Sequence, residues 1–108
     1  MDIGQLLSNL TSNPSALSSS PALRALWLDR TATWEEAHQA IHNENDQISA
    51  AVHAYLHRKE GDVWNANYWY RSAKRKPFTG SLEAEWQSLF EEECARLGLL
   101  KGLEYKRL

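Results

Sequence analysis

The four histidines of the chain fall into two pairs, His38/His42 and His53/His57, each with three residues between its members. A separation of four puts both rings of a pair on one helix face, which metal binding or acid–base work requires. If the two segments form a hairpin turning near Asn45, His38 lies level with His53. His42 and His57 then stand one turn away in opposite directions, so four imidazoles converge poorly. No carboxylate accompanies the His53/His57 pair at Glu-x-x-His spacing. The pattern predicts partly exposed or hydrogen-bonded structural histidines, with no metal ligand and no cofactor. His53 and His57 nevertheless stay on the map of candidate binding residues. The alternative function for this chain is a small metal- or ligand-binding enzyme using their helix face with a nearby tyrosine or arginine.

A second constellation is Trp64, Tyr68, Arg71 and Arg75, which share one helix face by spacing. Such a stripe can stack bases or grip a carboxylate-bearing peptide. Arg71 and Arg75, four apart, repel each other and call for an acidic partner. An internal partner would come from Glu83, Glu85 or Glu91 to Glu93, making the stripe a structural seam. A foreign partner would make it a binding site. The basic run is short, comprising Arg71, Lys74, Arg75 and Lys76, and the net charge is −2, which disfavours nucleic acid.

Other chemistry is absent from the pattern. There is no glycine-rich phosphate loop, no nucleophile elbow and no Cys-x-x-Cys, so no catalytic residue is assigned and the balance lies against an enzyme. The single cysteine, Cys94, excludes an internal disulfide and fits a reducing compartment. Its neighbours Glu91 to Glu93 should raise the thiol pKa. No apolar run approaches the ~20 residues that span a bilayer, and Met1-Asp2-Ile3-Gly4 lacks a basic leader. The expectation is a cytoplasmic protein without membrane contact.

The elements that must carry these residues are helical. At 108 residues the chain is one domain. Residues 1–20 comprise a short amphipathic segment (Ile3, Leu6, Leu7, Leu10, with Asp2 as its cap) and a serine-rich, linker-like arm. Residues 21–98 form the helical domain and 99–108 a tail, whose Leu99, Leu100, Leu103 and Tyr105 could cover exposed core. Ser20-Pro21 starts a short helix reaching Leu28. Thr33-Trp34-Glu35-Glu36 is a capping box. Asp46 caps a helix ending at Gly61, with Ile48, Ala51, Val52, Tyr55 and Leu56 inward. Asp62 caps another that runs to Lys76 and Pro77, with Val63, Ala66, Trp69, Tyr70 and Ala73 on its core face. Ser81 caps the last long helix, which ends at Gly98, with Glu93 in its apolar stripe needing a wet edge or a basic partner. No segment alternates with period two, so the fold class is all-α, a compact bundle of four to five helices. Trp34, Leu56, Trp69, Tyr70, Trp86 and Phe90 are expected to be largely buried.

Shifted by 29 residues, the capping-box helix overlays the helix after Asp62: Thr33 on Asp62, Ala37 on Ala66, Ile41 on Tyr70. The unit Gly61-Asp62-Val63-x-x-Ala66-x3-Tyr70-x2-Ala73, closed by Pro77 and preceded by Ala54, resembles the second helix of a tetratricopeptide or Sel1-like repeat. His53 and His57 stand where that family usually carries an apolar and an aromatic residue. The segment from His53 to Ala73 is also similar to small uncharacterised microbial proteins sharing a HAYLHR-x-EGD…NA-x-YWYR-x-A core. These resemblances imply an all-helical fold built on a tetratricopeptide-like hairpin, and no known activity. The functional expectation is a non-enzymatic interaction module. Its partner would be a protein or peptide segment, a second copy of the chain included.

Overall fold

The computed structural model describes residues 3–12 and 14–99. Among them there are seven helices and no strand: α1 Ile3–Thr11, α2 Pro14–Ser19, α3 Pro21–Thr31, α4 Trp34–Ile41, α5 Gln47–Lys59, α6 Val63–Ser72 and α7 Leu82–Arg96. The all-helical class agrees with the sequence, and the count exceeds the expected four to five. The excess lies at the N-terminus, where the serine-rich stretch expected to be a linker winds into α2. Leu10 is buried in the main core, and Leu7, Ala16 and Leu17 pack on it. The expectations for Asp2 and for Leu100, Leu103 and Tyr105 fall outside the described residues.

The five main helices start where side-chain chemistry dictates. The oxygens of Ser20, Thr33, Asp46, Asp62 and Ser81 accept from the amides of Leu23, Glu36, Ser49, Asn65 and Ala84 at 3.0, 3.1, 3.2, 3.1 and 3.0 Å. Each cap satisfies an orphan N–H and is worth about 1 kcal/mol. Between α5 and α6 the turn is minimal. Gly61 takes φ +86°, and the Asp62 amide closes back on the His57 carbonyl at 2.9 Å. Asp62 thus ends one helix with its backbone and begins the next with its side chain. The small residues Ala54 and Ala66 are both buried where α5 and α6 pack together.

Helix α6 stops at Ser72, short of the expected Lys76. Lys74 adopts φ +59° and the Arg75 amide bonds the Tyr70 carbonyl at 2.9 Å, so the helix closes on itself before Pro77 can break it.

Helix α5 is the axis of the bundle. It packs against α3, α4, α6 and α7. Nine consecutive residues from Ser49 to His57 are buried. An enclosed helix has no solvent face, so of the partly exposed or hydrogen-bonded histidines expected, the two on α5 are of the second kind: His53 and His57 are 4% and 8% exposed and bond to His38 and Glu60. Leu56, Tyr70, Trp86 and Phe90 are buried as expected, whereas Trp34 and Trp69 are only half-buried and Val63 lies outside the core. Glu93 found its basic partner. Arg96 grips it through Nε and Nη2 at 2.6 and 2.7 Å while the Ser20 hydroxyl donates to it at 2.5 Å.

Candidate functional site

Two surfaces of the α5–α6 hairpin carry the candidate residues. The first is the outer face of α6. Val63, Trp64 and Tyr68 are 63, 73 and 48% exposed. The rings of Trp64 and Tyr68 stack on each other at 6.3 Å. Arg71 is exposed and has no ion-pair partner among the described residues. Arg75 is different: its guanidinium forms a two-pronged pair with Glu92 on α7 at 2.9 and 2.5 Å, which raises its pKa. The sequence stripe therefore divides. Arg75 belongs to a seam between α6 and α7, and Trp64, Tyr68 and Arg71 form an open aromatic–cationic face. Of the other acids on α7, Glu83 is engaged with Arg30, Glu85 with Arg58 and Tyr70, and Glu93 with Arg96 and Ser20.

The second surface is the histidine cluster between α4, α5 and α6. His38 comes from α4, and His53 and His57 from α5. One potential ligand atom from each lies within 4.8 Å of the others. The Nε2 atoms of His38 and His53 are 2.9 Å apart. His42 stacks on His38 at 5.8 Å, but its Nδ1 bonds the Gln39 carbonyl at the surface. The level placement of His38 and His53 matches the hairpin argument. The inclusion of His57 does not: its neighbour across the hairpin is His38 itself, with ring centroids 5.4 Å apart. Glu60, three residues beyond His57, bonds its Nδ1 at 2.8 Å. The Glu-x-x-His pattern does not cover it, because this acid follows its histidine instead of preceding it.

Two half-buried tryptophans clamp the cluster. Trp34 lies flat on His38 at 4.9 Å and meets His57 edge-on, and its indole N–H is pinned by the Leu56 carbonyl at 2.8 Å. Trp69 lies flat on His53 at 4.0 Å. Tyr68 meets Trp69 edge-on at 5.2 Å. Trp64, Tyr68, Trp69, His53, His38 and Trp34 thus make an unbroken ladder of rings from the outer face of α6 to the start of α4. The Tyr55 hydroxyl donates to Asp29 at 2.6 Å, with Lys59 on the same carboxylate, and Arg71 faces outward.

The electrostatics follow from this crowding. Burial first, then the neighbouring His38, His57 and His42, push the His53 pKa down to about 3. Burial and the adjacent imidazoles also lower that of His38, partly offset by Glu60. Burial, followed by Glu93 and Glu91, raises the Cys94 thiol to about 12, so it is not a nucleophile at neutral pH. For His53 the folded pKa lies below the unfolded value of about 6.5. Its contribution to stability is full above that value and is lost as pH falls from about 6.5 towards about 3. Chelator-treated protein should therefore have a lower urea midpoint at pH 5 than at pH 7.5, and His53→Gln should make that decline shallower. An unchanged wild-type midpoint would show that the cluster takes up protons without cost.

The site belongs to an all-helical bundle, and among its described residues no helix is long and apolar enough to cross a membrane. No protein-family model, curated protein or solved structure matches the chain.

Proposed function

We propose that this chain is a non-enzymatic interaction module whose contact surface is the outer face of α6, formed by Val63, Trp64, Tyr68 and Arg71. The observation that carries the reading is the concentration of exposed apolar side chains there. Of the large hydrophobic residues exposed among the described residues, Val63, Trp64 and Tyr68 share this face and only Leu82 lies off it. Clustered exposed aromatics mark interaction sites, and tryptophan, tyrosine and arginine dominate binding energy at interfaces. The partner is a protein or peptide segment carrying acidic residues, because Arg71 and the neighbouring Lys74 and Lys76 are exposed cations without described partners. The likeness of the α5–α6 hairpin to a tetratricopeptide unit supports the same reading, as does a buried free thiol for a cytoplasmic setting.

The test compares wild type with Trp64→Ser and Arg71→Glu as baits on the full chain. Surface changes of this kind should leave stability within ~0.5 kcal/mol. The same captured protein should disappear from both variants, and binding by that purified partner should weaken with added salt. Light scattering covers the case of a second copy: a dimer that dissociates in Trp64→Ser would identify the chain as its own partner. Variants that retain every partner of the wild type would sink the proposal.

A further inference from the structure

We infer that His38, His53 and His57 form a binding site for a divalent late-transition ion, zinc foremost, with at least one coordination position left to solvent or a ligand. This site is independent of the α6 contact surface. Three imidazoles, one from α4 and two from α5, already bring one potential ligand atom each within 4.8 Å of the others. Zinc–nitrogen bonds of about 2.0–2.1 Å place tetrahedral ligand atoms about 3.3 Å apart. The His38 and His53 Nε2 atoms, at 2.9 Å, stand close to that separation. A ligand atom of the third ring, His57, lies within 4.8 Å of one on each of the other two.

The second requirement is control of ring orientation. A histidine ligand commonly gives its other ring N–H to a carboxylate, which sets the tautomer and strengthens the free nitrogen as a donor. Glu60 does this for His57 by accepting from Nδ1, which leaves Nε2 with its lone pair. Trp34 and Trp69, lying flat on His38 and His53, fix the planes of the other two rings.

The third requirement is a donor set that suits the ion. Neutral imidazoles suit zinc, copper and nickel better than calcium or magnesium, which take oxygen ligands. Glu60 and Asp62, grouped with His57 at the rim, supply the negative charge that three neutral ligands lack. A set of three protein ligands is the open type of zinc site, in contrast to the closed four-ligand structural type.

The experiment uses the full chain purified without a histidine tag and stripped with chelator. Titration with Zn2+ should saturate at one ion per chain and raise the melting temperature. Co2+ should give the intense visible bands of a four-coordinate ion. His38→Gln and His57→Gln should each weaken Zn2+ binding by more than ~100-fold. Glu60→Gln, a change at a half-exposed side chain, should weaken it ~10- to 100-fold with the fold intact by circular dichroism. His42→Ala should bind as wild type does. Absence of one-to-one binding by the wild type would overturn the site, as would full binding by Glu60→Gln together with His38→Gln. Equal loss in His42→Ala would overturn the three-residue assignment.

Discussion

Trp86→Ala should cost about 4 kcal/mol and lower the melting temperature by ~15 °C or more. Trp86 is 1% exposed, stacks flat on Phe90 at 4.6 Å and donates its indole N–H to the Leu26 carbonyl on α3 at 3.0 Å. The guanidinium of Arg30 sits 3.8 Å above its ring. Truncation therefore opens a cavity, breaks the hydrogen bond between α3 and α7, and removes the surface on which Arg30 rests. For a domain whose whole stability is of order 5–15 kcal/mol this is a large fraction. Trp86→Phe keeps much of the packing and should cost about half as much. A Trp86→Ala variant whose urea midpoint barely moves would show that α7 does not depend on this anchor.

Glu85→Ala should cost about 3 kcal/mol. Its carboxylate is nearly enclosed and joins three helices: Arg58 of α5 donates to one oxygen at 2.8 Å and the Tyr70 hydroxyl of α6 to the other at 2.5 Å. Burial, with Glu85 beside it, raises the Tyr70 pKa well above its ordinary value, so the phenol stays protonated as the donor. Removing the carboxylate strands a guanidinium and a buried hydroxyl together. Arg58 retains some contact with water and also reaches the Gly80 carbonyl, which limits the loss. The double variant Arg58→Ala/Glu85→Ala should be less destabilised than the sum of its parts, because a coupled pair fails as a unit. Strict additivity by chemical denaturation would show that the two do not interact.

Much of the framework is local chemistry and was legible as such. The caps at Ser20, Thr33, Asp46, Asp62 and Ser81 need only a side-chain oxygen three residues before an amide. The left-handed glycines Gly61 and Gly98 need only the absence of a β-carbon. In the 29-residue correspondence Ala37 and Ala66, and Ile41 and Tyr70, are buried, whereas Trp34 and Val63 differ, the first half-buried and the second exposed. What escaped was decided by neighbours distant in sequence. A helical wheel for α5 shows one apolar stripe, but α4 and α6 cover the opposite side, so polar imidazoles became interior residues. Trp34 and Trp69 look like core residues by type, yet their faces pack on His38 and His53 at the edge of the bundle. Val63, at the first turn of α6, falls on the core face by periodicity, but is 63% exposed. Lys74 in the left-handed region carries no signature, since a lysine there is disfavoured on its own.

The burial of α5 on every side also sets how far this chain can drift. From Ser49 to His57 each position meets packed neighbours, and several are small: Ser49, Ala50, Ala51 and Ala54. Enlarging one pushes a neighbouring helix away, and shrinking Val52 or Leu56 leaves a void, so both directions of change are penalised. On a surface helix about half the positions are free to vary without consequence. Here there are none over two and a half turns, and two of the three clustered imidazoles lie inside that stretch. Mutational freedom is displaced outward, to α1, α2 and the outer face of α6. The cluster and the frame that holds it are therefore inherited together, whereas on the α6 surface Val63, Trp64 and Arg71 can be re-specified for a new partner, and Tyr68, packed on Trp69, is tied to the cluster.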